Sequence, residues 1–305
     1  MAEKYKKQHI VPKSYLNHFA TKQKNDKYNI ITMIKKNNIL SDKFVQTTDK
    51  VGYISNFYDV PERDDPKYWE HFLDENFDRL CGKKLDRIIA HASLSPNKTV
   101  ILDDERKDLL SRIIISQMLR VPGFFEFGFK KSEEIMKKTK EELIEVFKEI
   151  APDKVPVVEK VEFSDTQQKD IMLSEMFDAE RFTGYCEILK RKTWIVYYNL
   201  NAKDTPFITC DNPVLVTNRN GSKIGLFVNG LIQKETSIFF PVSPSVLIAI
   251  YSPTAILGGI SFLDGQKINL INEQKFIKWI NELLICQAFR YVFKKYNNTT
   301  KEIYG

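Results

Sequence analysis

Hydrophobic and polar positions divide the chain into three stretches of different pattern. Residues 1–64 mix short apolar patches with polar turns, and residues 28–33 and 50–58 are typical of extended segments. Apolar residues then recur at helical spacing through 65–192, and short runs rich in Val, Ile, Phe and Tyr follow in 193–305. This order predicts an α+β fold in which a helical middle region packs on a C-terminal, mainly antiparallel β-sheet. We expect the three stretches to form one compact unit.

Capping residues, prolines and turn residues indicate where the individual helices and strands begin and end. In the middle stretch we predict a helix from Asp65–Pro66, a second from Asp103 or Asp104 to Pro122–Gly123, a charged third helix over 130–150, and a fourth behind the Ser164-x-x-Gln167 capping box. In the last stretch we predict strands at 194–200, 207–210, 214–217, 226–228, 237–240, 246–251 and 268–271, hairpin turns at 220–221 and 229–230, and a closing helix through 276–284 capped by Asn272.

Composition narrows the class of protein without naming an activity. The 305 residues are 43% hydrophobic and 28% charged, which is typical of a globular protein. A net charge of +6 permits a nucleic-acid partner but does not require one. The longest apolar run, 238–251, contains two prolines and predicts no membrane span.

Cysteine and histidine spacing gives no metal motif. Cysteines 81, 186, 210 and 286 form no C-x-x-C pair, and the four histidines show no H-x-x-x-H spacing. The first 20 residues lack the apolar core of a secretory signal, so we expect reduced, mostly buried thiols and a cytoplasmic location.

The segment 8–19 carries the first candidate for chemistry. His9-Ile-Val-Pro resembles in part the opening strand of an HNH nuclease, in which a histidine activates water beside a divalent metal ion. The motif lacks its Gly-Gly turn and its downstream partners. A structural histidine with satisfied hydrogen bonds is the alternative.

Asp211 and Asn212 follow an apolar strand and precede Pro213, where they could present carboxylate and amide groups to a site. Ordinary turn chemistry explains the same residues. Near the end of the chain, Asn281 and Arg290 could complete a site or tie the last helix to the sheet.

Gln117 and Arg120 share one face of an apolar helix. A guanidinium in such surroundings must be paired or must face a ligand. An ion pair with Glu75 or Asp211 and recognition of a phosphate explain Arg120 equally well.

Taken in order, these segments resemble a family known as domain of unknown function 4238. The resemblance covers nearly the whole chain and depends on His9-x-Val-Pro-x-x-Tyr15-Leu-x-x-Phe19, Phe57-Tyr58, Glu75, Gln117-x-x-Arg120-x-Pro, Phe207-Ile-Thr-x-Asp211-Asn212-Pro, Phe240-Pro-x-Ser243-Pro244, Asn281 and Arg290. It implies that polar signature residues from distant segments converge on one site. Cys210 departs from the pattern, since a serine is frequent at that position.

Two hypotheses of different classes follow. In the first, the protein is a hydrolase, a nuclease or phosphodiesterase of an anti-phage defence system, with a nucleic acid or nucleotide as substrate. His9 acts as acid/base, Asp211 and Glu75 as base or metal ligand, and Arg120 stabilises phosphate charge. The binding residues are then Tyr15, Glu75, Gln117, Asn212, Asn281 and Arg290. In the second, the same residues form a structural network in a binding module or in one subunit of a complex with a partner protein.

Overall fold

The computed structural model describes residues 7–36, 39–218, 230–233, 235–252 and 259–296. Helices and antiparallel sheets are combined in these residues, which confirms the α+β prediction. The helices are α1 (Lys13–Leu16), α2 (Tyr68–Leu73), α3 (Arg79–Leu94), α4 (Asp104–Leu119), α5 (Pro122–Ile150), α6 (Val155–Glu159), α7 (Asp165–Met176), α8 (Ala179–Lys190) and α9 (Gln274–Gln287). The strands are β1 (Lys7–His9), β2 (Thr21–Lys22), β3 (Tyr28–Lys36), β4 (Ile39–Thr47), β5 (Tyr53–Ser55), β6 (Thr193–Asn199), β7 (Thr209–Cys210), β8 (Leu215–Thr217), β9 (Ser237–Ser243), β10 (Val246–Tyr251), β11 (Gln266–Leu270) and β12 (Tyr291–Lys295).

Two five-stranded sheets and one strand pair organise the described residues. The first sheet has the order β11-β6-β10-β9-β8, and among these described strands only the β11–β6 pair is parallel. Every residue of β9 and β10 is buried, so both faces of this sheet are covered. The second sheet has the order β2-β3-β12-β7, with β4 paired to β3, and β1 pairs with β5.

The helical layer is centred on α4. Its Leu110, Ile114 and Met118 belong to the largest core cluster, and burial extends around most of the helix. A helix that is apolar on most sides must be enclosed by other elements. Helix α8 is its main partner, and the whole arrangement holds the C-terminal end of α4 inside the protein.

Several boundaries differ from the sequence-based predictions. Helix α4 stops at Leu119, just before the predicted stop at Pro122–Gly123. Pro122 also occupies the first turn of α5, where a missing N–H group costs nothing, so the charged third helix begins before the predicted residue 130. The capping box at Ser164 and Gln167 is confirmed.

The closing region also differs. Asn272 adopts a left-handed backbone conformation (φ 59°) ahead of the helix, and Glu273 is the residue at the N-cap. Strand β12, which follows α9, was not predicted, and the predicted strand at 226–228 and turn at 220–221 lie outside the described residues, as does Asn229 of the second turn.

A π-helical turn at Asp74–Asp78 joins α2 to α3 without a break. Such wide turns are rare and occur frequently at functional sites. The hydroxyl of Ser14 donates to the Asp78 carbonyl at 3.0 Å, which anchors this turn to α1. The approach is close enough that a Cβ atom on Gly82 would lie 2.9 Å from the Ser14 Cβ.

Within the described ranges, no helix has the length and apolar character needed to cross a membrane. Cys81, Cys186 and Cys210 are buried thiols.

Candidate functional site around Arg120

Arg120 lies at the C-terminal end of α4 and is completely buried. Its Nη1 atom is 2.7 Å from Oδ1 of Asp78, and its Nη2 atom donates to the Leu73 carbonyl at 3.3 Å. The ion-pair partner is therefore Asp78, at the end of the π-helical turn, and neither of the two acids suggested by the sequence. Because the Asp78 side chain is 20% exposed, the pair connects the interior to the surface.

Glu70, on α2, belongs to the same electrostatic neighbourhood. Burial and the nearby Asp78 carboxylate raise the pKa of Glu70 to about 7, and Arg120 opposes the shift. Burial also raises the pKa of Asp78, again opposed by Arg120. Glu70 can therefore gain or lose a proton near neutral pH, as a general acid or base must.

His9 is the last residue of β1. It is distant from Arg120 in sequence but lies within range of its charge. Burial lowers the pKa of His9 to about 4, and the positive charges of Lys13, Arg120 and Lys7 add to that shift, while Asp49 opposes it. The imidazole is thus neutral at pH 7. Its Nε2 atom is buried and has no hydrogen-bond partner among the described residues.

Tyr58 supplies a second buried polar atom of this kind. The side chain is completely buried, and its hydroxyl has no partner within the described part of the chain. Gln8 fixes the backbone here, because its Oε1 atom accepts from the Tyr58 N–H at 2.5 Å and its amide donates to Asp59. Burial raises the pKa of Tyr58, and Arg120 opposes the shift.

These five residues, His9, Tyr58, Glu70, Asp78 and Arg120, are called the Arg120 cluster below. Leaving a buried polar group without a partner costs about 1–3 kcal/mol. In the described residues Arg120 Nε, His9 Nε2 and the Tyr58 hydroxyl all lack a partner. Such a concentration of unsatisfied groups requires an explanation, and a site for a ligand provides one.

The described residues contain no group of three or more His, Cys, Asp or Glu side chains placed to hold a metal ion. The divalent metal considered for a nuclease therefore has no ligand set in this part of the chain.

Asp211 belongs to a different hydrogen-bond network. Its Oδ1 atom accepts from the Phe289 N–H at 2.8 Å, and its Oδ2 atom accepts from the N–H groups of Arg290 and Tyr291 at 2.7 and 2.8 Å. Burial raises the pKa of Asp211, and these three donors oppose the shift. The carboxylate thus holds the chain between α9 and β12, and no hydrogen bond or ion pair in the described residues joins it to the Arg120 cluster.

Other sequence-predicted residues also bind backbone atoms. The Tyr15 hydroxyl donates to the Pro241 carbonyl at 2.6 Å, and the Gln117 amide donates to the Ile10 carbonyl at 2.8 Å. The Asn281 side chain accepts from the Ile208 N–H at 3.1 Å and donates to the Pro206 carbonyl at 2.9 Å. Each of these contacts joins elements that are distant in sequence.

The remaining predicted residues lie away from the Arg120 cluster. Glu75 is exposed, 4.0 Å from Arg79 on the next turn. The Asn212 carbonyl accepts from the Cys210 thiol at 3.0 Å. The exposed Arg290 places its guanidinium 5.1 Å from the centre of the Tyr291 ring.

The structure thus brings together His9 and Arg120 of the residues selected from sequence. Sequence reasoning missed Glu70, Asp78 and Tyr58 as members. Only Tyr58 had a signal, because Phe57-Tyr58 was part of the family resemblance. Asp78 depends on the π-helical turn, for which the sequence offers no recognisable pattern.

Comparison with known proteins gives one match. Residues 7–298 match the family described as "Protein of unknown function (DUF4238)". No curated protein and no solved structure matches the chain.

Proposed function

The chain belongs to the DUF4238 family, and from the chemistry of the Arg120 cluster we propose that it is a hydrolase using Glu70 and His9 as an acid–base pair. The observation that carries the proposal is the separation of two pKa values near one buried arginine. The pKa of His9 is lowered to about 4 and that of Glu70 is raised to about 7. Environments that shift the pKa values of two titratable groups in opposite directions are typical of catalytic acid and base pairs.

The proton transfers follow from these values. Between about pH 4 and pH 7, His9 is neutral and Glu70 is protonated. His9 Nε2, which lacks a partner among the described residues, accepts the proton of the attacking water. Glu70 donates its proton to the leaving oxygen, and solvent exchange returns both groups to their starting forms. Arg120 is completely buried, so its role is to position Asp78 and tune Glu70.

The charges around His9 favour an anionic substrate. Lys7, Lys13 and Arg120 contribute positive potential there, against the single negative charge of Asp49. An attacking water at such a position is suited to a phosphodiester, whose developing charge Lys7 and Lys13 stabilise. A nuclease is one form of this hydrolase, and a role in defence against phages depends on that form.

The test is hydrolysis of bis(4-nitrophenyl) phosphate across pH. We expect a bell-shaped profile of kcat/KM, with a rising limb near pH 4 and a falling limb near pH 7, since these limbs report the free enzyme's base and acid. Glu70→Gln should lower kcat by about 100-fold or more and abolish the falling limb, in line with the usual contribution of a general acid.

Glu75→Gln is the matched control, because Glu75 lies five positions away and is exposed. It should leave kcat unchanged. Activity of Glu70→Gln equal to that of the wild type would exclude Glu70 as the acid. Absence of hydrolysis by the wild type at every pH would reject the phosphodiester substrate.

A binding module is the second candidate, favoured by the backbone contacts of Tyr15, Gln117 and Asn281. These contacts lock helices to sheets and need no substrate. Under this alternative neither His9→Ala nor Glu70→Gln should alter any hydrolytic rate.

A further inference from the structure

A polar cavity of about 470 Å³ is lined by residues from the ends of both sheets. Its walls come from the loop after β6, the turn between β9 and β10, the last residues of β12, and His18. The polar residues that matter are His18, Lys203, Ser243, Ser245, Lys294 and Lys295. None of them belongs to the Arg120 cluster.

The cavity has an excess of positive charge. Lys203, Lys294 and Lys295 all line it, and in the described part of the chain none of these three forms an ion pair. Asp204 is the one acid of the described residues in the wall. Three lysines without a carboxylate partner among the described residues line one cavity and leave a place for an anion.

The floor of the cavity is fixed before any ligand arrives. The Ser243 hydroxyl accepts from the N–H groups of Ser245 and Val246 at 3.3 and 3.0 Å, which closes the turn between β9 and β10. The carbonyls of Pro244 and Ser245 accept from Phe207 and Asn199 at 3.0 and 2.8 Å. A preformed wall lowers the entropic cost of binding.

His18 closes one side of the same cavity. Its Nε2 atom is 2.9 Å from Asp86, and its Nδ1 atom is 3.1 Å from the Tyr15 carbonyl. Asp86 pairs with His18 and does not itself line the cavity.

We propose that this cavity binds a phosphate-bearing small molecule of nucleotide size. Lysine ammonium groups act as point charges for phosphate oxygens, and the Ser245 hydroxyl adds a polar group at the wall. The volume lies within the range of small-molecule sites, roughly 300–1,000 Å³. A single phosphate leaves most of this space empty, whereas a nucleotide fills it.

The experiment is calorimetric titration at low salt with inorganic pyrophosphate and with ATP as probes. Both should bind, and Lys294→Gln/Lys295→Gln should weaken both by about tenfold, equivalent to about 1.4 kcal/mol. Lys203→Gln, on a separate loop, should weaken them in the same direction. Lys275→Gln/Lys278→Gln on α9 changes the net charge equally and should have no effect, since neither lysine lines the cavity.

Three outcomes overturn the proposal. The first is absence of binding of both probes to the wild type at low salt. The second is equal binding by the β12 double variant and by its α9 control, with both variants folded by circular dichroism. The third is binding of a 20-nucleotide single strand much more tightly than ATP, lost in the β12 variant, because it would identify a nucleic-acid surface.

Discussion

Replacement of Asp78 by Asn tests the central ion pair of the Arg120 cluster directly. The change keeps the shape of the side chain and removes the charge that faces Arg120 at 2.7 Å. The guanidinium is completely buried, and its remaining hydrogen bond, to the Leu73 carbonyl, is long at 3.3 Å. The cation would then be almost uncompensated in the interior.

Breaking a buried pair by removing one partner costs about 3–5 kcal/mol. Asp78 is 20% exposed, so water can reach the vacated position and relieve part of the penalty. We therefore expect a loss at the lower end, about 3 kcal/mol, with a fall in Tm on the order of 5–10 °C.

The assay is denaturant unfolding followed by tryptophan fluorescence and circular dichroism, with thermal melting in parallel. Asp74→Asn is the matched control, since Asp74 lies four residues away and pairs with Arg79 on the surface, where the side chains are 42% and 65% exposed. An exposed pair of this kind contributes about 0–1 kcal/mol. Equal stability of Asp78→Asn and Asp74→Asn would refute the ion-pair argument, and Arg120 could then not tune Glu70 as proposed.

Four further results are expected. Glu70→Gln should be more stable than the wild type above pH 7, and the difference should vanish below about pH 4.5, because a carboxyl with a raised pKa lowers the stability of the fold once it ionises; pH-dependent melting measures this. Wild-type stability should fall between about pH 6.5 and pH 4 more steeply than that of His9→Gln, because the lowered pKa of His9 opposes its protonation in the fold. Asp211→Ala should cost about 1–3 kcal/mol by leaving three partly buried N–H groups without their acceptor, while Asn212→Ala, whose described contact is through its carbonyl, should cost little in the same unfolding assay. Binding of DNA and RNA should be weak and should disappear as salt rises, because lysines on α5 pair with glutamates of the same helix; a salt titration by fluorescence anisotropy checks it.

Local patterns in the sequence predicted most helices and strands but not which of them contact one another. The capping box at Ser164 and the start of α4 at Asp103 were visible because side chains there bind their own neighbouring backbone. The start of α5 at Pro122 was missed because a proline that follows one helix can also begin the next, and only tertiary packing decides whether it does. Strand β12 was missed because it is short and includes two lysines.

Prediction of the candidate site from the sequence was limited in the same way. Arg120 could be identified as a residue that needs a partner, because an arginine on an apolar helix face must be satisfied. Its partner could not be identified, since the π-helical turn shifts Asp78 toward it in a way that regular helical spacing does not predict. Glu70 has no distinguishing neighbours in sequence, and its raised pKa arises from burial in the folded chain.

Strand β12 lies between β3 and β7 in the second sheet. Because β12 is near the C-terminal end of the sequence, this sheet cannot be completed until late in synthesis on the ribosome. The hairpin of β3 and β4 is complete at residue 47, but its inner neighbour begins at Tyr291. At ordinary translation rates the cell needs on the order of 10–50 s to make the intervening chain. Throughout that interval β3 presents an unpaired edge rich in isoleucine, a surface prone to join other nascent chains. We expect the nascent protein to require a chaperone until β12 emerges and closes that edge.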